Sequence, residues 1–524
     1  MNDDLKSKMV IPMPNQYLLG VDIGTYSSKG VLVETGSGNV IAEHAIEHGI
    51  EMPKPGWAEH DADAVWWGEF AQISRALIDK SGVTPKSIIS VGISALGACA
   101  LPVGADGRPL RKAILYGIDT RAEAEIEELE RVFGVDRIFQ ISGMKLSAQS
   151  TGPKILWLKN HEPKIHEQAR YFLTSQAYLV FRLTGKATLD IFTMADYTPM
   201  GDIRKNCWCR ETTEYITPLE KLPVPTWSCD IAGYVTKKAS DETGLAEGTP
   251  VIVGTTDAGA ESVSTGISQA GDLMIMFGST IFIVMLADHL MPSPKLWATA
   301  WLDPTAYTLQ GGTSTAGSLT RWFRDNFSAE ELAIQNAGGE PAYAALAQLL
   351  KDSPPGASGL ITLPYFEGER TPVYDPQAKG MVFGLTLSHT RVDVYRSLLE
   401  GIGFGIRHMV ETMIEEGAKP KRIIASAGGT RNRGWMQIVC DIANIEMVIP
   451  EQESSAPIGD AFMAGVGVGY YKNLKESSKI IKKTTTLKPD PAITHIYSNY
   501  YRIYRQLYEQ TRDLMHDLDA YRRI

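Results

Sequence analysis

The sequence predicts an α/β protein built from two related domains that face each other across a cleft. Three observations carry this expectation. The chain has 524 residues, too many for one ordinary hydrophobic core. Tyr17 to Glu34 reads as an apolar strand, a glycine-bearing turn with an acid (Asp22-Ile23-Gly24-Thr25-Tyr26-Ser27-Ser28-Lys29) and a second apolar strand. Leu273 to Leu286 repeats the layout around Gly278-Ser279-Thr280, about 250 residues later. Turns of this kind present hydroxyls and backbone N–H groups that converge on an anion, and glycine lets the backbone approach it closely. Two of them predict a nucleotide gripped from opposite sides.

Composition narrows the class. With 44% hydrophobic and 21% charged residues the chain is that of a soluble globular protein. A net charge of −10 argues against a nucleic-acid or anionic-membrane surface, which needs a basic footprint. No apolar run approaches the length of a transmembrane helix, and residues 1–15 lack a signal-peptide core and read as a short tail. The five cysteines are too few for a disulfide framework, and the Cys207-x-Cys209 pair near Cys229 has no fourth zinc ligand close by. Reduced thiols in a cytoplasmic protein are the expectation.

Further along, Ala62 to Ile78 has helical spacing, with Trp66, Trp67, Phe70 and Ile73 on one side, and Ser87 to Ala95 is an apolar strand. A second unit begins near Pro250, where the strand Val251 to Gly254 runs into Thr255-Thr256-Asp257-Ala258, read as strand end to helix start. Ser318 to Phe327 is a helix, and the strand Arg422 to Ala427 ends in Gly428-Gly429-Thr430. Ser455 to Tyr470 is a small-residue helix suited to close packing. Tyr497, Tyr500, Tyr501, Tyr504 and Tyr508 recur at helical steps and read as the docked face of a terminal helix.

With these features in place, the chain resembles the FGGY carbohydrate kinases, and within them the xylulokinase branch. The most specific stretch is Leu363-Pro-Tyr-Phe-Glu-Gly-Glu-Arg-Thr-Pro372 followed by Pro376-Gln-Ala-Lys-Gly-Met-Val-Phe-Gly-Leu385, and Lys154-Ile-Leu-Trp-Leu-Lys-Asn-His161 matches most of another family motif. The resemblance implies two ribonuclease H-like domains of the actin and hexokinase type. Residues 16–250 would form the sugar and phosphate side, and residues 251–524 would carry the catalytic base and the adenosine side. It implies ATP and Mg²⁺ as cofactors and a small sugar as substrate, foremost a ketopentose such as xylulose or ribulose. A polyol or a non-sugar polyhydroxy signal is the alternative substrate, and an actin-like ATP-binding protein without sugar chemistry is the alternative class. Family precedent points to a homodimer.

Residue by residue, the resemblance makes Asp22 the Mg²⁺ ligand, against the plain reading of a turn aspartate. Gly24, Thr25, Ser27, Ser28 and Lys29 would hold the phosphates, with a solvated strand residue as the alternative for Lys29, as would Gly278, Ser279 and Thr280. Gly317 and Arg321 would touch ATP, and Gly428, Gly429, Thr430 and Asn432 would hold the adenosine. Asp257 becomes the general base that takes the proton of the sugar hydroxyl, against the alternative of a helix N-cap. Arg370 is read as pinning Glu369 and the domain interface, against the alternative of pairing with phosphate. The sugar site departs from the family pattern. Gly97 and Ala98 replace a Met-His pair, Ala258 replaces an amide, and Gln149 stands where glycerol kinases carry a tyrosine. These changes predict a substrate other than D-xylulose in its usual pose, one that is larger, differently configured or already substituted. Asp119 or Arg121 is the candidate for a compensating contact.

Overall fold

A computed structural model describes residues 15–97, 99–451 and 455–522. The expected tail, apart from Asn15, and Ala98 therefore lie outside the described residues. The first sheet opens with an antiparallel meander of β1 (Tyr17–Ile23), β2 (Ser27–Glu34) and β3 (Val40–Glu47). Helix α1 (Gly68–Ser81) then leads to β4 (Ile88–Ala95), which lies parallel beside β1. Three later strands complete the sheet: β5 (Ile231–Tyr234), β6 (Pro250–Ile252) and β7 (Thr255–Thr256). The order is β5-β6-β4-β1-β2-β3, with β7 also pairing β4. Leu18, Leu19 and Val21 are all buried, so both faces of β1 are covered, as the unbroken apolar run of this strand requires. The sequence reading places Val251 and Thr255 at the start of the second domain. The structure corrects this: β6 and β7 pair parallel with β4 in the first sheet.

Helix α2 (Asp257–Ser264) leads out of that sheet to β8 (Asp272–Phe277) and β9 (Ile281–Ala287), the second predicted hairpin. The second sheet adds β10 (Trp297–Ala300) and β11 (Tyr307–Gly312) on one side. Helices α3 (Gly317–Phe327) and α4 (Arg391–Glu415) precede β12 (Arg422–Ser426), which lies parallel to β8. After helix α5 (Arg433–Ala443) come β13 (Met447–Pro450), helix α6 (Ala456–Gly467), β14 (Thr484–Leu487) and helix α7 (Pro491–Arg522). The second sheet runs β10-β11-β9-β8-β12-β13-β14.

Each sheet has its own apolar core, and a third core joins them. In that third core Leu18 and Ile252 of the first sheet meet Met274 and Val284 of the second around Ala260 of α2 and Phe462 of α6. The sequence permits this because α6 is made of small residues. A Cβ on Gly20 would stand 1.9 Å from the Pro457 carbonyl oxygen, one on Gly92 2.0 Å from that of Asp460, and one on Gly459 1.9 Å from that of Ala260. Backbone therefore rests on backbone at all three points. The C-terminal tyrosines take the docking role expected of them: Tyr497, Tyr501 and Tyr504 are buried, and the Tyr504 and Tyr365 hydroxyls lie 2.9 Å apart. Among the described residues no helix is long and apolar enough to cross a membrane.

Gly459→Ala is expected to destabilise the fold by about 1–3 kcal/mol, because a carbonyl oxygen of a packed helix has no room to yield. Gly49→Ala, whose Cβ would meet nothing within 4 Å, is the matched control and should leave the thermal midpoint unchanged. Equal midpoints for the two variants would show that α2 and α6 separate at no cost.

Candidate active site

The register of the first sheet assembles the acids. Asp22, near the end of β1, pairs with Lys29 on one side and with Ser94 of β4 on the other. Thr255 of β7 pairs with Ser94 and Thr256 with Ala95, so the chain emerges at Asp257 beside the same edge. Asp22, Ser94, Gly97 and Asp257 are thereby collected at the carboxyl ends of parallel strands, where ligands of open α/β sheets bind.

Asp257 is not the cap of α2. Thr256 fills that position and accepts from Gly259 N–H, while Asp257 Oδ1 accepts from Ala258 N–H at 2.7 Å. No other described residue hydrogen-bonds its carboxylate, which borders a cavity of about 560 Å³. Burial pushes Asp257 up to about 6, against the Ala258 N–H, which holds it down. Asp22 rises to about 7, through burial first and Asp257 second, with Ser94 and Lys29 opposing.

The cavity lies between the two halves. Gly97, Tyr116, Gln149 and Asp257 border it on one side; Thr280, Trp297 and Arg370 border it on the other. Ala258 also borders it. Gln149 is held against Gly117, where a Cβ would stand 2.8 Å from its Nε2. Arg370 directs Nε and Nη2 onto the Thr313 carbonyl oxygen, at 3.1 and 2.5 Å. Glu369 Oε1 accepts from Ser314 and Arg370 N–H. These contacts fix the Gly-Glu-Arg-Thr-Pro stretch beside the end of β11.

The two glycine turns differ in what their side chains do. In the first, Thr25 Oγ1 lies 2.9 Å from the Tyr116 hydroxyl, Ser27 is half-buried and Lys29 is exposed. Gly24 N–H closes the turn onto the Ser27 carbonyl oxygen. Ser28 is a correction to the sequence reading. It is fully buried and donates to Glu69 Oε2 at 2.5 Å, so its hydroxyl points into the core and away from any phosphate. His48 sits on the same carboxylate and reaches the Gly24 carbonyl oxygen at 3.1 Å, so Glu69 and His48 brace the turn from behind. In the second turn, the first N–H groups of α3 donate to it: Gly317 N–H to Gly278 O and Ser318 N–H to Ser279 O, each 3.0 Å. A Cβ on Gly317 would stand 2.5 Å from Gly278 O, which explains the glycine. Arg321 is exposed on α3.

Gly428, Gly429 and Thr430 follow β12, whose register with β8 brings them beside Phe277 and so beside the second turn. Thr430 Oγ1 donates to the Ala427 carbonyl oxygen, and Asn432 caps α5 by accepting from Trp435 N–H. Asp119 and Arg121 do not supply the compensating contact expected of them. They pair with each other, and Arg121 also lies 3.8 Å from the Trp57 ring centre.

Two acids of this region escape the sequence reading. Asp196 borders the cavity, and Asp460 of α6 is fully buried against Ser94. Ser94 Oγ lies 3.0 Å from Asp22 Oδ1 and 2.7 Å from Asp460 Oδ2. Its single proton serves one carboxylate at a time, so both contacts are hydrogen bonds only when one of the two acids holds a proton, and Asp460 Oδ1 is buried without a partner among the described residues. Burial, then the nearby Asp22, raises Asp460 well above the ordinary carboxylate range, against the Ser94 hydrogen bond. An acid inside the otherwise apolar run Ala456-Pro-Ile-Gly-Asp-Ala-Phe-Met463 was the available signal.

A group raised on folding takes up a proton as the chain folds, so its contribution to stability falls as pH rises from the unfolded value towards the folded one. Asp460→Asn removes that requirement. Its thermal midpoint should exceed the parent's near pH 8 and match it near pH 4. A lower midpoint at pH 8 would mean that the fold needs the charged carboxylate.

Comparison with known proteins agrees with this geometry. The model of the FGGY family of carbohydrate kinases, N-terminal domain, matches residues 17–263, and that of the C-terminal domain matches residues 273–468. A xylulose kinase of Bacillus subtilis (strain 168) is 27% identical over 513 residues, covering 97% of this chain and all of that one. A glycerol kinase of Corynebacterium efficiens is 28% identical, covering 91% of this chain and 94% of its own. The crystal structure of a xylulose kinase from Rhodospirillum rubrum superposes with a TM-score of 0.86 at 27% identity, over 96% of this chain and all of that one. Two family domains that together span most of the chain place it in the FGGY family: the protein is a carbohydrate kinase.

Proposed function

We propose that this kinase transfers the γ-phosphoryl group of ATP to a hydroxyl of a ketopentose such as xylulose or ribulose, with Asp257 as general base. The observation that carries the reading is the Asp257 carboxylate, held at one oxygen and directed at a cavity whose opposite wall holds Thr280 and Arg370. The names of the full-length relatives favour a ketopentose.

The sugar hydroxyl gives its proton to Asp257 as its oxygen bonds to the γ-phosphorus, and the bond from that phosphorus to the bridging oxygen breaks to release ADP. Such a transfer depends on positioning and on neutralising charge. The Gly278–Thr280 turn, fixed by the first N–H groups of α3, would hold phosphate oxygens from one side. The turn from Gly24 to Ser27 would hold them from the other, through backbone N–H groups and the Ser27 hydroxyl. The Gly428–Thr430 turn and Asn432 would border the adenosine. Asp22 fits a divalent cation, since burial raises it to about 7 and only a serine hydroxyl and an exposed lysine oppose that rise. Mg²⁺ bound there would neutralise the phosphate oxygens.

Asp257→Asn should lower kcat by about 10²–10⁴-fold in an ADP-release assay while leaving ATP affinity unchanged. Turnover that persists in this variant would remove Asp257 from the role of base. A panel of ketopentoses, hexuloses and polyols tests the substrate, and a polyol that outperforms every ketose would overturn the ketopentose reading. The base must be unprotonated to act, so kcat/KM should fall as the pH drops through about 6. An acid limb near pH 4 would show instead that the site leaves the carboxylate unperturbed.

A further inference from the structure

Gly97 leaves a gap in the cavity wall. A Cβ there would stand 2.9 Å from Thr256 Cγ2 and 3.4 Å from Asp196 Oδ2, so any larger side chain at this position would cover the Asp196 carboxylate. Without one, Asp196 faces the same cavity as Asp257. It sits on a single turn, Ala195–Tyr197, that follows the short helix Ile191–Met194. That helix is anchored by Asp190, which caps it at Thr193 N–H and accepts from Thr255 Oγ1 at 2.9 Å. Asp196 is thus tied to the strand that delivers the base. No described residue hydrogen-bonds its carboxylate or pairs with it. Lys154, whose charge acts on it, spends its ammonium on the Ala148 and Ser150 carbonyl oxygens.

We infer that Asp196 sets the sugar specificity of this kinase, its carboxylate accepting hydrogen bonds from two neighbouring hydroxyls in the space that Gly97 leaves open. The inference rests on the proposed sugar kinase site and names the substrate feature that site reads. An ionised carboxylate only accepts, and its two oxygens suit a pair of adjacent O–H donors. Burial with Asp190 and Asp257 nearby raises Asp196 to about 7, so its charge lacks compensation until donors arrive. Gln149, on the same wall, offers amide donors to the lone pairs that those hydroxyls keep. The Asp196 carboxylate disfavours an anionic group placed directly against it, such as the acid of a sugar acid or a phosphate at that end, while Lys145 and Arg370 line other parts of the cavity. This narrows the expectation drawn from the vacated Gly97 position to a neutral, hydroxyl-rich chain.

The test compares the parent, Asp196→Ala and Asp196→Asn by ADP release on ketopentoses, their monodeoxy analogues, aldoses, polyols and an aldonic acid. Asp196→Ala should raise KM for the best sugar about 10- to 100-fold with kcat little changed. The parent should lose a similar factor on analogues missing either hydroxyl of one adjacent pair, and Asp196→Ala should not distinguish those analogues from the full sugar. Asp196→Asn keeps the shape, carries the test if the alanine variant folds poorly, and should improve the aldonic acid relative to the neutral sugar. Unchanged KM and unchanged sensitivity to deoxygenation in the variants would overturn the assignment. So would an equal loss of kcat on every substrate, which would place Asp196 with the chemistry instead. If the parent turns over no ketose, the ketopentose reading falls, and Asp196 is judged by the same comparisons on whichever carbohydrate is phosphorylated.

Discussion

The contact of α6 with the first sheet and with α2 governs the rest of the molecule. Pro457 and Asp460 lay their carbonyl oxygens on Gly20 and Gly92, and Gly459 lies on the Ala260 carbonyl. Interiors are packed at crystal-like density, so contacts between main-chain atoms leave no side chain to absorb a shift. The same helix brings Asp460 to Ser94, and Ser94 touches Asp22. Packing and site chemistry are one arrangement: a change that lifts α6 also removes the neighbour that settles where the Ser94 proton points.

That arrangement gathers acids and gives them few cations. Burial raises Asp22, Asp257, Asp190, Asp196 and Asp460. Of the positive groups nearby, Arg370 is turned to the Thr313 carbonyl, Lys154 to two other carbonyls and Lys29 to solvent, while Lys145 stays on the cavity wall. A fold selected for stability alone would pair these carboxylates or replace them, because unpaired buried charge is costly. Perturbed acids that converge on a cleft are instead the mark of a functional site. A donor-rich sugar or a charge-neutralising group bound at these acids would restore stability given up here, as linkage requires of any ligand that binds only the folded chain.

Much of this was legible in the sequence. The two hairpins, the strand-to-helix step at Asp257 and the tyrosine face of α7 announce themselves through local pattern, because alternation, glycine and helical spacing act over a few residues. What escaped depends on partners far away in the chain. Ser28 reads as a phosphate donor until Glu69, 41 residues on, is seen to take its hydroxyl. Asp119 and Arg121 read as substrate contacts until they are found paired with each other. Asp196 gains meaning only when the chain folds it against Gly97, and Asp460 only beside Ser94, 366 residues away. A side chain missing from a motif marks a gap, but it does not say which distant residue borders the gap.

The placement of β6 and β7 changes how the two halves share the work. Sequence order alone attaches Asp257 to the second domain. Pairing with β4 instead puts Thr255 and Thr256, and so the start of α2, in register with Ser94 and Asp22. Asp22, Asp257 and Asp196 therefore belong to one hydrogen-bonded unit, while the Gly278–Thr280 and Gly428–Thr430 turns sit on the other sheet. A relative movement of the sheets that left the first one intact would preserve the distances among these acids and alter their distance to those turns. A sugar held by the first unit would keep its hydroxyl on Asp257 throughout, with the phosphoryl donor aligned by the second. This division suits a kinase, which must keep water from the γ-phosphoryl until the acceptor is in place.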